Sequence, residues 1–390
     1  MSTPSDDERL NLLGLTRQDL EAHVVGMGSK PFRARQLMHW IYKRGEGRIE
    51  SMTDLARDFR AQLAAQAEVR VPRVGMVQHS SDGTRKWKLQ ADAAQAFEMV
   101  YIPEAARGTL CISSQVGCAL DCSFCSTARQ GFNRNLSTAE IVGQVWLAAR
   151  ELSASVGEES STVVLPESGR HISNVVLMGM GEPLANVRNV VPALKILLDD
   201  FGFDLSRRRV TLSTSGLVPQ IYKLAEEVNV ALAVSLHAPD DALRSELVPI
   251  NRVHPIRELL EACWHYLDER NGRSVTFEYV MLEGVNDSPA QARALVRLLR
   301  GHPAKLNLIP FNPFPGSQYR RSPLPAILRF RDELIRGGLL ATIRRTRGED
   351  IDAACGQLAG RVIDRTTARL GGKNFAVVAQ STPVQPEARP

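Results

Sequence analysis

From about residue 106 the chain alternates short, β-rich apolar runs with amphipathic helical segments, and it does so six times. The runs are 109–113, 174–178, 209–213, 230–235, 274–280 and 305–309. The helical segments are 138–153, 187–200, 217–227, 256–270, 288–299 and 324–337. Parallel strands cannot be joined by a tight turn, and a helical crossover is the usual solution. The pattern therefore predicts an α/β fold with a parallel, crossover-connected sheet. Six such units fit a partial (β/α)6 barrel, in which functional residues stand at the C-terminal strand ends and in the loops just after.

The segment before the barrel reads differently. Residues 10–25, 31–42 and 53–65 have the spacing of short amphipathic helices. Lys30-Pro31 opens the second, since proline is tolerated in a first helical turn. Arg33, Arg35, Lys43 and Arg44 interleave there with Phe32, Trp40 and Tyr42. That mixture suits an RNA surface, and equally a solvated helix face over a small core. Stretches 77–89 and 96–102 alternate like strands, with Asp82-Gly83 as a hairpin turn. The expected organisation is a small helical domain over 1–75, a β-hairpin extension over 76–105 and the barrel over 106–345. A loop and helix over 346–379 and a disordered tail over 380–390 follow. Residues 154–171 are polar and read as a surface insertion.

Cys118, Cys122 and Cys125 fall after the first barrel strand, in Gly117-Cys-Ala-Leu-Asp-Cys-Ser-Phe-Cys-Ser126. The spacing C-x3-C-x2-C lets one short loop turn three thiolates together. Three thiolates hold three corners of a [4Fe–4S] cubane, where an electron carrier uses four. The missing ligand leaves one iron open to a substrate. Another reading adds Cys111, seven residues upstream, to make a four-thiolate zinc site, although no second C-x2–4-C knuckle is present. A disulfide framework does not suit six cysteines in 390 residues.

A formal charge of +5 and a pI of about 9.0 permit an anionic partner without requiring one. No apolar run approaches the length of a membrane span. The first residues, Met1 to Glu8, show no basic n-region and no apolar h-region, so a reducing cytoplasm is the expected compartment.

The run 174–178 leads into Gly179-Met-Gly-Glu-Pro-Leu184. Glycines at a strand end let backbone approach a ligand, and Glu182 would place a carboxylate in the barrel mouth; a plain turn is the alternative. Ser213-Thr-Ser-Gly216, Ser235-Leu-His237 and Asn312 stand at or just past further strand ends. Each alone reads as a cap or core residue, but together they line one mouth.

The cysteine spacing and the GGEP-like segment Met180-Gly181-Glu182-Pro183 resemble the radical S-adenosylmethionine (SAM) enzymes. Three further segments narrow the resemblance: Phe97-Glu-Met-Val-Tyr-Ile-Pro-Glu104, Gly131-Phe-Asn-Arg-Asn-Leu136 and Gly348-Glu-Asp-Ile-Asp-Ala-Ala-Cys-Gly-Gln-Leu358. They are similar to the RlmN/Cfr family of radical SAM RNA methyltransferases, and the similarity runs from about residue 10 to 375.

The resemblance implies the radical SAM barrel and a [4Fe–4S] cluster on Cys118, Cys122 and Cys125. It implies SAM contacts at Phe124, Gly181, Glu182, Ser213, Ser235, Leu236, His237 and Asn312. The implied reaction is methylation of C2 of adenosine in 23S rRNA and in tRNA. That carbon is electron-poor and has no lone pair, so a carbon radical replaces the usual methyl-cation transfer. By the same resemblance, one SAM methylates Cys355, and a second, split at the cluster, gives a 5′-deoxyadenosyl radical that takes a hydrogen from the S-methyl group. The S-methylene radical adds to C2, Glu98 removes the C2 proton, and Cys111 attacks the Cys355 sulfur to form a disulfide and release the RNA.

Without the family match, Glu98 reads as a solvent-facing strand residue and Cys355 as a small buried hydrophobe; Cys263 reads as core. Arg344, Arg345 and Arg347 lie near Cys355 in sequence and suit a thiolate or a phosphate. Candidate RNA contacts are Arg129, Arg134, Arg207, Arg208, Arg320, Arg321 and Arg344, and the target adenine has to leave its stack. The implied partners are 23S rRNA, tRNA and a flavodoxin-like electron-donor protein, with no membrane, for a monomeric enzyme. Two alternatives stay open at this point: a Cfr-like adenine-C8 methyltransferase, and a zinc-bearing RNA-binding module.

Overall fold

The computed structural model describes residues 9–105, 107–154, 171–270 and 273–366. Most of the insertion expected at 154–171, the helix expected late in 346–379 and the tail 380–390 lie outside the described residues.

Ten strands form one sheet: β1 (Arg73–His79), β2 (Arg85–Gln90), β3 (Ala96–Glu104), β4 (Arg107–Cys111), β5 (Asn174–Leu177), β6 (Val210–Thr214), β7 (Ala231–Ser235), β8 (Val275–Met281), β9 (Ala304–Pro310) and β10 (Leu340–Ile343). Their order in space is their order in the chain. β1 to β4 pair antiparallel, and β4 to β10 pair parallel. Seven strands are thus parallel, one more than the six sequence units. The extra one is β10, an edge strand that pairs with β9 alone.

The six parallel connections carry the helices Thr138–Ala154, Val187–Leu198, Val218–Glu227, Ile256–Arg270, Pro289–Leu299 and Leu324–Arg336. Local chemistry fixes where helices begin. Ser288 and Gln291 form a reciprocal capping box before Pro289. Thr16 and Asp19 do the same, so the first N-terminal helix is Arg17–Gly26 and does not begin at residue 10. Leu10–Asn11 instead pairs with Ala67–Glu68.

The aromatic residues of the second N-terminal helix divide between core and solvent. Trp40 and Ile41 are buried, and the Trp146 indole N–H donates to the Ile41 carbonyl at 2.7 Å. Tyr42 packs 5.1 Å from Phe203, ring to ring. Phe32 stays exposed with the Arg33 guanidinium 5.1 Å over its ring.

Alternation along the parallel strands sorts side chains. Val175, Leu177, Val210, Leu212, Leu232 and Val234 join the hydrophobic core. Thr109, Val176, Thr211, Thr276, Asn307 and Thr342 face the other way, into a cavity of about 920 Å³. All seven parallel strands contribute to its lining, so the sheet curves around it. Barrel interiors are usually filled by branched aliphatic layers. Threonine and asparagine here leave the interior open and polar. Among the described residues no helix is long and apolar enough to cross a membrane.

Candidate active site

The cysteine loop leaves the C-terminal end of β4 and is held by a short antiparallel pair, Gln115–Gly117 with Phe132–Asn135. Gly117 sits at φ +82°, and a Cβ there would meet the Gly131 carbonyl oxygen at 2.0 Å, so glycine is required. The Cys118 N–H donates to that same carbonyl at 2.8 Å. The Ser126 N–H donates to the Gly356 carbonyl at 2.8 Å, which ties the cysteine loop to the segment carrying Cys355.

Cys118 and Cys122 are buried and Cys125 is half-buried. Leu120, Leu247, Val248, Ile250, Leu282 and Phe311 form an apolar shell around them. Burial raises all three thiols above their ordinary range, and neighbouring cysteines push Cys118 and Cys122 up further. Three crowded thiols in a dry shell suit an inorganic cation centre, which takes them as thiolates. Cys111 ends β4, outside the loop that carries the trio, and the thiol that acts on it is Cys355. Among the described residues no three His, Cys, Asp or Glu side chains converge on a single-ion site. A cubane spreads its ligands over separate irons and does not need such convergence.

Beside the trio lies a cavity of about 160 Å³ lined by Phe124, Cys125, Gly181, Glu182, Ser213 and Ser235, with His237, Asn312 and Cys355 completing it. Leu236 does not line it. That side chain is fully buried, and its main chain serves instead: the carbonyl accepts from Arg244 Nε at 3.1 Å. Glu182 is 2% exposed. Its Oε2 accepts the Ser215 N–H at 2.7 Å and its Oε1 the Leu184 N–H at 3.0 Å. Burial raises this carboxyl, and those N–H groups oppose the rise. No lysine or arginine pairs with it among the described residues, which suits an incoming ammonium group.

His237 has φ +62°, an uncommon backbone for a non-glycine residue, held by Asn286 Nδ2 donating to its carbonyl at 2.9 Å. Its Nδ1 accepts the Val280 N–H at 3.0 Å, and its ring meets Phe124 edge-on at 4.6 Å. Burial, then the charge of Arg244, pushes His237 down to about 3. It is therefore a neutral imidazole with its proton on Nε2.

The small cavity and the 920 Å³ barrel cavity share Met178, Glu278, Ile309, Asn312, Arg344 and Cys355. Cys355 thus stands at their junction, and Asn312 Nδ2 donates to its carbonyl at 3.3 Å. Burial raises Cys111 to about 12, and the Cys355 sulfur adds to the rise. Arg344 acts against burial at both thiols, and its own guanidinium is held up by Cys355 first, then by Glu278 and Cys111. Glu98 lines neither cavity. It is buried, 3.7 Å from Lys86 Nζ, and its Oε2 accepts the Ala359 N–H at 3.1 Å. The β-ladder turns it to the same face as Cys111, since Val100, two residues on, pairs directly with Cys111.

The candidate arginines divide. Arg134 is spent on Glu140 and the Ala91 carbonyl, and Arg321 on Phe311, Asn312 and Glu349. Arg207, Arg208 and Arg344 line the large cavity. Arg129 is exposed, and Arg320 pairs with Glu283 at 2.8 Å on the surface. Cys263 is fully buried in the core.

Two supporting residues carry no sequence signal. Arg244, fully buried, donates to the carbonyls of Ser215, Ser235 and Leu236 and to Asn251 Oδ1. Gln115 Oε1 accepts the Glu182 N–H at 2.9 Å. Neither sits in a recognisable motif, because its partners lie on other strands and loops.

A curved parallel sheet with a three-cysteine loop after its first parallel strand defines a radical SAM enzyme, whose cofactors are a [4Fe–4S] cluster and SAM. The radical SAM superfamily model matches residues 164–296, and the ribosomal RNA large subunit methyltransferase N-terminal domain model matches residues 10–69. The crystal structure of a radical SAM methyltransferase from Sphaerobacter thermophilus is 44% identical, with a TM-score of 0.81, over 90% of this chain and 99% of that one. The chain belongs to the RlmN-type radical SAM methyltransferases. More distant likenesses include Streptococcus suis SuiB bound to S-adenosylmethionine, at 13% identity and a TM-score of 0.44 over 65% of this chain and 56% of that one. Another is a domain of the pyruvate-formate lyase-activating enzyme from Bacteroides vulgatus, at 18% identity and a TM-score of 0.35 over 44% of this chain and 99% of that one.

Proposed function

We propose that this methyltransferase places a methyl group on C2 of adenosine in 23S rRNA and in tRNA, with Cys355 as the methyl carrier. The observation that carries the reading is the place of Cys355 at the junction of the two cavities, both of which Arg344 also lines. Cys118, Cys122 and Cys125 would hold the cluster. Glu182, Ser213, Ser235, His237 and Asn312 would hold SAM, with Phe124 and Gly181 shaping the cavity. When bound, these cofactors supply a carbon radical able to take hydrogen from a methyl group.

The chain's own residues do the rest. The Cys355 sulfur accepts a methyl group from the small cavity and presents it toward the large one. The polar barrel interior admits an extruded adenine. Glu98 accepts the C2 proton; once the adduct has given up its unpaired electron, the Cys111 thiolate attacks the Cys355 sulfur and breaks its bond to the methylene carbon, which takes the electron pair and a proton to become the methyl group as the RNA leaves. Arg207 and Arg208 supply positive charge to the large cavity. The reading includes a flavodoxin-like electron donor and a cytoplasmic monomer.

The deciding measurement is mass mapping of RNA treated with anaerobically reconstituted enzyme. Methyl at C2 of adenosine is expected; methyl at C8 would overturn the choice of carbon, and unmodified RNA the choice of substrate.

A further inference from the structure

Lys86 is a buried cation that neither the cofactor site nor the cysteine chemistry uses. Its side chain, on β2, is 8% exposed, and that of Glu98, on β3, is 5% exposed. Its Nζ stands 3.7 Å from Glu98 Oε1 and donates to the Asp352 carbonyl at 3.3 Å. The second carboxylate oxygen of Glu98 accepts the Ala359 N–H at 3.1 Å. Asp352 and Ala359 bracket Cys355. One ammonium–carboxylate pair is therefore bonded to the main chain on both sides of the methyl-carrying residue.

The register places this pair beside the chemistry. Lys86 pairs with Val100 across β2 and β3, and Val100 pairs with Cys111 across β3 and β4. Directly paired residues share a face, so Lys86, Glu98 and Cys111 all point the same way. Lysine is almost never buried unless paired, and packing alone is served as well or better by apolar residues of similar volume. A buried charge pair bonded to a loop has a use that apolar packing lacks, because it fixes direction as well as distance.

We propose that Lys86 is a positioning residue of the methyl-transfer cycle. It joins the Glu98 carboxylate and the Cys355 loop into one unit, so that base and methyl-carrying sulfur are set together beside Cys111. This rests on the RNA-methylation reading above. In the present arrangement one oxygen of the base accepts the Ala359 N–H, and the carboxylate keeps further lone pairs for a proton. Lys86 remains the counter-charge throughout.

The test compares wild-type, K86M and K86R holoenzymes with RNA. K86M is expected to methylate Cys355 to the wild-type level, read by intact mass, yet to release methylated RNA about 10- to 100-fold more slowly and to accumulate the protein–RNA adduct. K86R should recover most of the rate. Amide exchange over 352–359 should rise in K86M and stay low in K86R. K86Q, which keeps a donor for Asp352 but no charge, should follow K86M in rate and serves if K86M does not fold. Wild-type release rates in K86M would overturn the proposal. So would loss of Cys355 methylation in K86M, which would make Lys86 only a prop for the loop. Failure of the wild-type enzyme to modify RNA would instead sink the substrate reading, and the amide-exchange comparison would still decide whether Lys86 ties the loop.

Discussion

The carboxylate of Asp82, in the turn between β1 and β2, accepts the backbone N–H of Gly348 at 3.1 Å across 266 residues of chain. Ser80 Oγ donates to Asp350 Oδ1 at 2.5 Å, and the Ser81 N–H to Asp350 Oδ2 at 3.1 Å. A hairpin turn on the edge of the barrel therefore holds the start of the Cys355 loop. Gly348 has φ +62°, and a Cβ there would come within 2.8 Å of the Ala353 side chain, so the loop has little freedom at this point.

Asp82→Ala should loosen this hold at a cost of about 1–3 kcal/mol, the usual price of stranding buried backbone donors. Burial pushes the Asp82 carboxyl up, but bonds from Thr84, Gly348 and Ser80 outweigh it and bring the group to about 2. A folded value below the unfolded one of ~3.9 means the stabilisation is fully present at neutral pH and is lost as pH falls through about 2. Limited proteolysis should cut the variant near residue 350 first. Wild-type resistance there would count against the hairpin as anchor.

Arg244→Met should destabilise the fold by about 3 kcal/mol or more, because three strand-end carbonyls lose a charged donor in a buried site. SAM affinity should fall with it, since Ser235 and Ser215 frame the small cavity. Thermal unfolding and calorimetric titration with SAM read the two effects. Unchanged affinity in a destabilised variant would confine Arg244 to the scaffold.

His237 gives a pH dependence with a definite sign. Its folded value of about 3 lies below an unfolded value of ~6.5, so the unfolded chain binds more protons between them. Stability should fall by up to about 1.4 kcal/mol per pH unit as pH drops from ~6.5 toward about 3. Asn tolerates positive φ, so His237→Asn should keep the fold and flatten this slope. Urea midpoints at several pH values check it, and an equally steep slope in the variant would assign the effect elsewhere.

Replacing Cys118, Cys122 or Cys125 by Ala should abolish bound iron and sulfide in anaerobically prepared protein. Cys263→Ala should leave both unchanged, since that thiol lies in the core away from the loop. Iron content near wild type in any of the three loop variants would point to a different ligand set.

The two remaining cysteines should separate by where the reaction stops. Cys355→Ala should lose methyl transfer while still cleaving SAM. Cys111→Ala should stall as a protein–RNA adduct, visible on a denaturing gel. Free release of product from Cys111→Ala would assign the resolving thiol elsewhere.

Much of this architecture was legible in the sequence because its signals are local. Strand runs and crossover helices repeat with periods of two and 3.6, and a capping box or first-turn proline marks where several helices begin. β10 is the addition, an edge strand whose Leu340 and Thr342 are exposed, so it lacks the buried run that marks the inner strands. The helix expected from residue 10 failed at Thr16, whose capping box starts it later. Cys118, Cys122, Cys125 and Glu182 could be singled out because each sits in a short motif. Leu236, just past β7, keeps its side chain in the core and turns its carbonyl to Arg244.

By itself the sequence determined the order of the elements, the cysteine loop and the glutamate that follows β5, since each depends on neighbours within a few positions. Only the tertiary structure decided that Lys86 holds Glu98 and the Cys355 loop, that Arg244 clamps two strand ends, and that two cavities meet at Cys355. Those relationships join separate strands and loops, and the bonds form only once the curved sheet has brought them within a few ångströms.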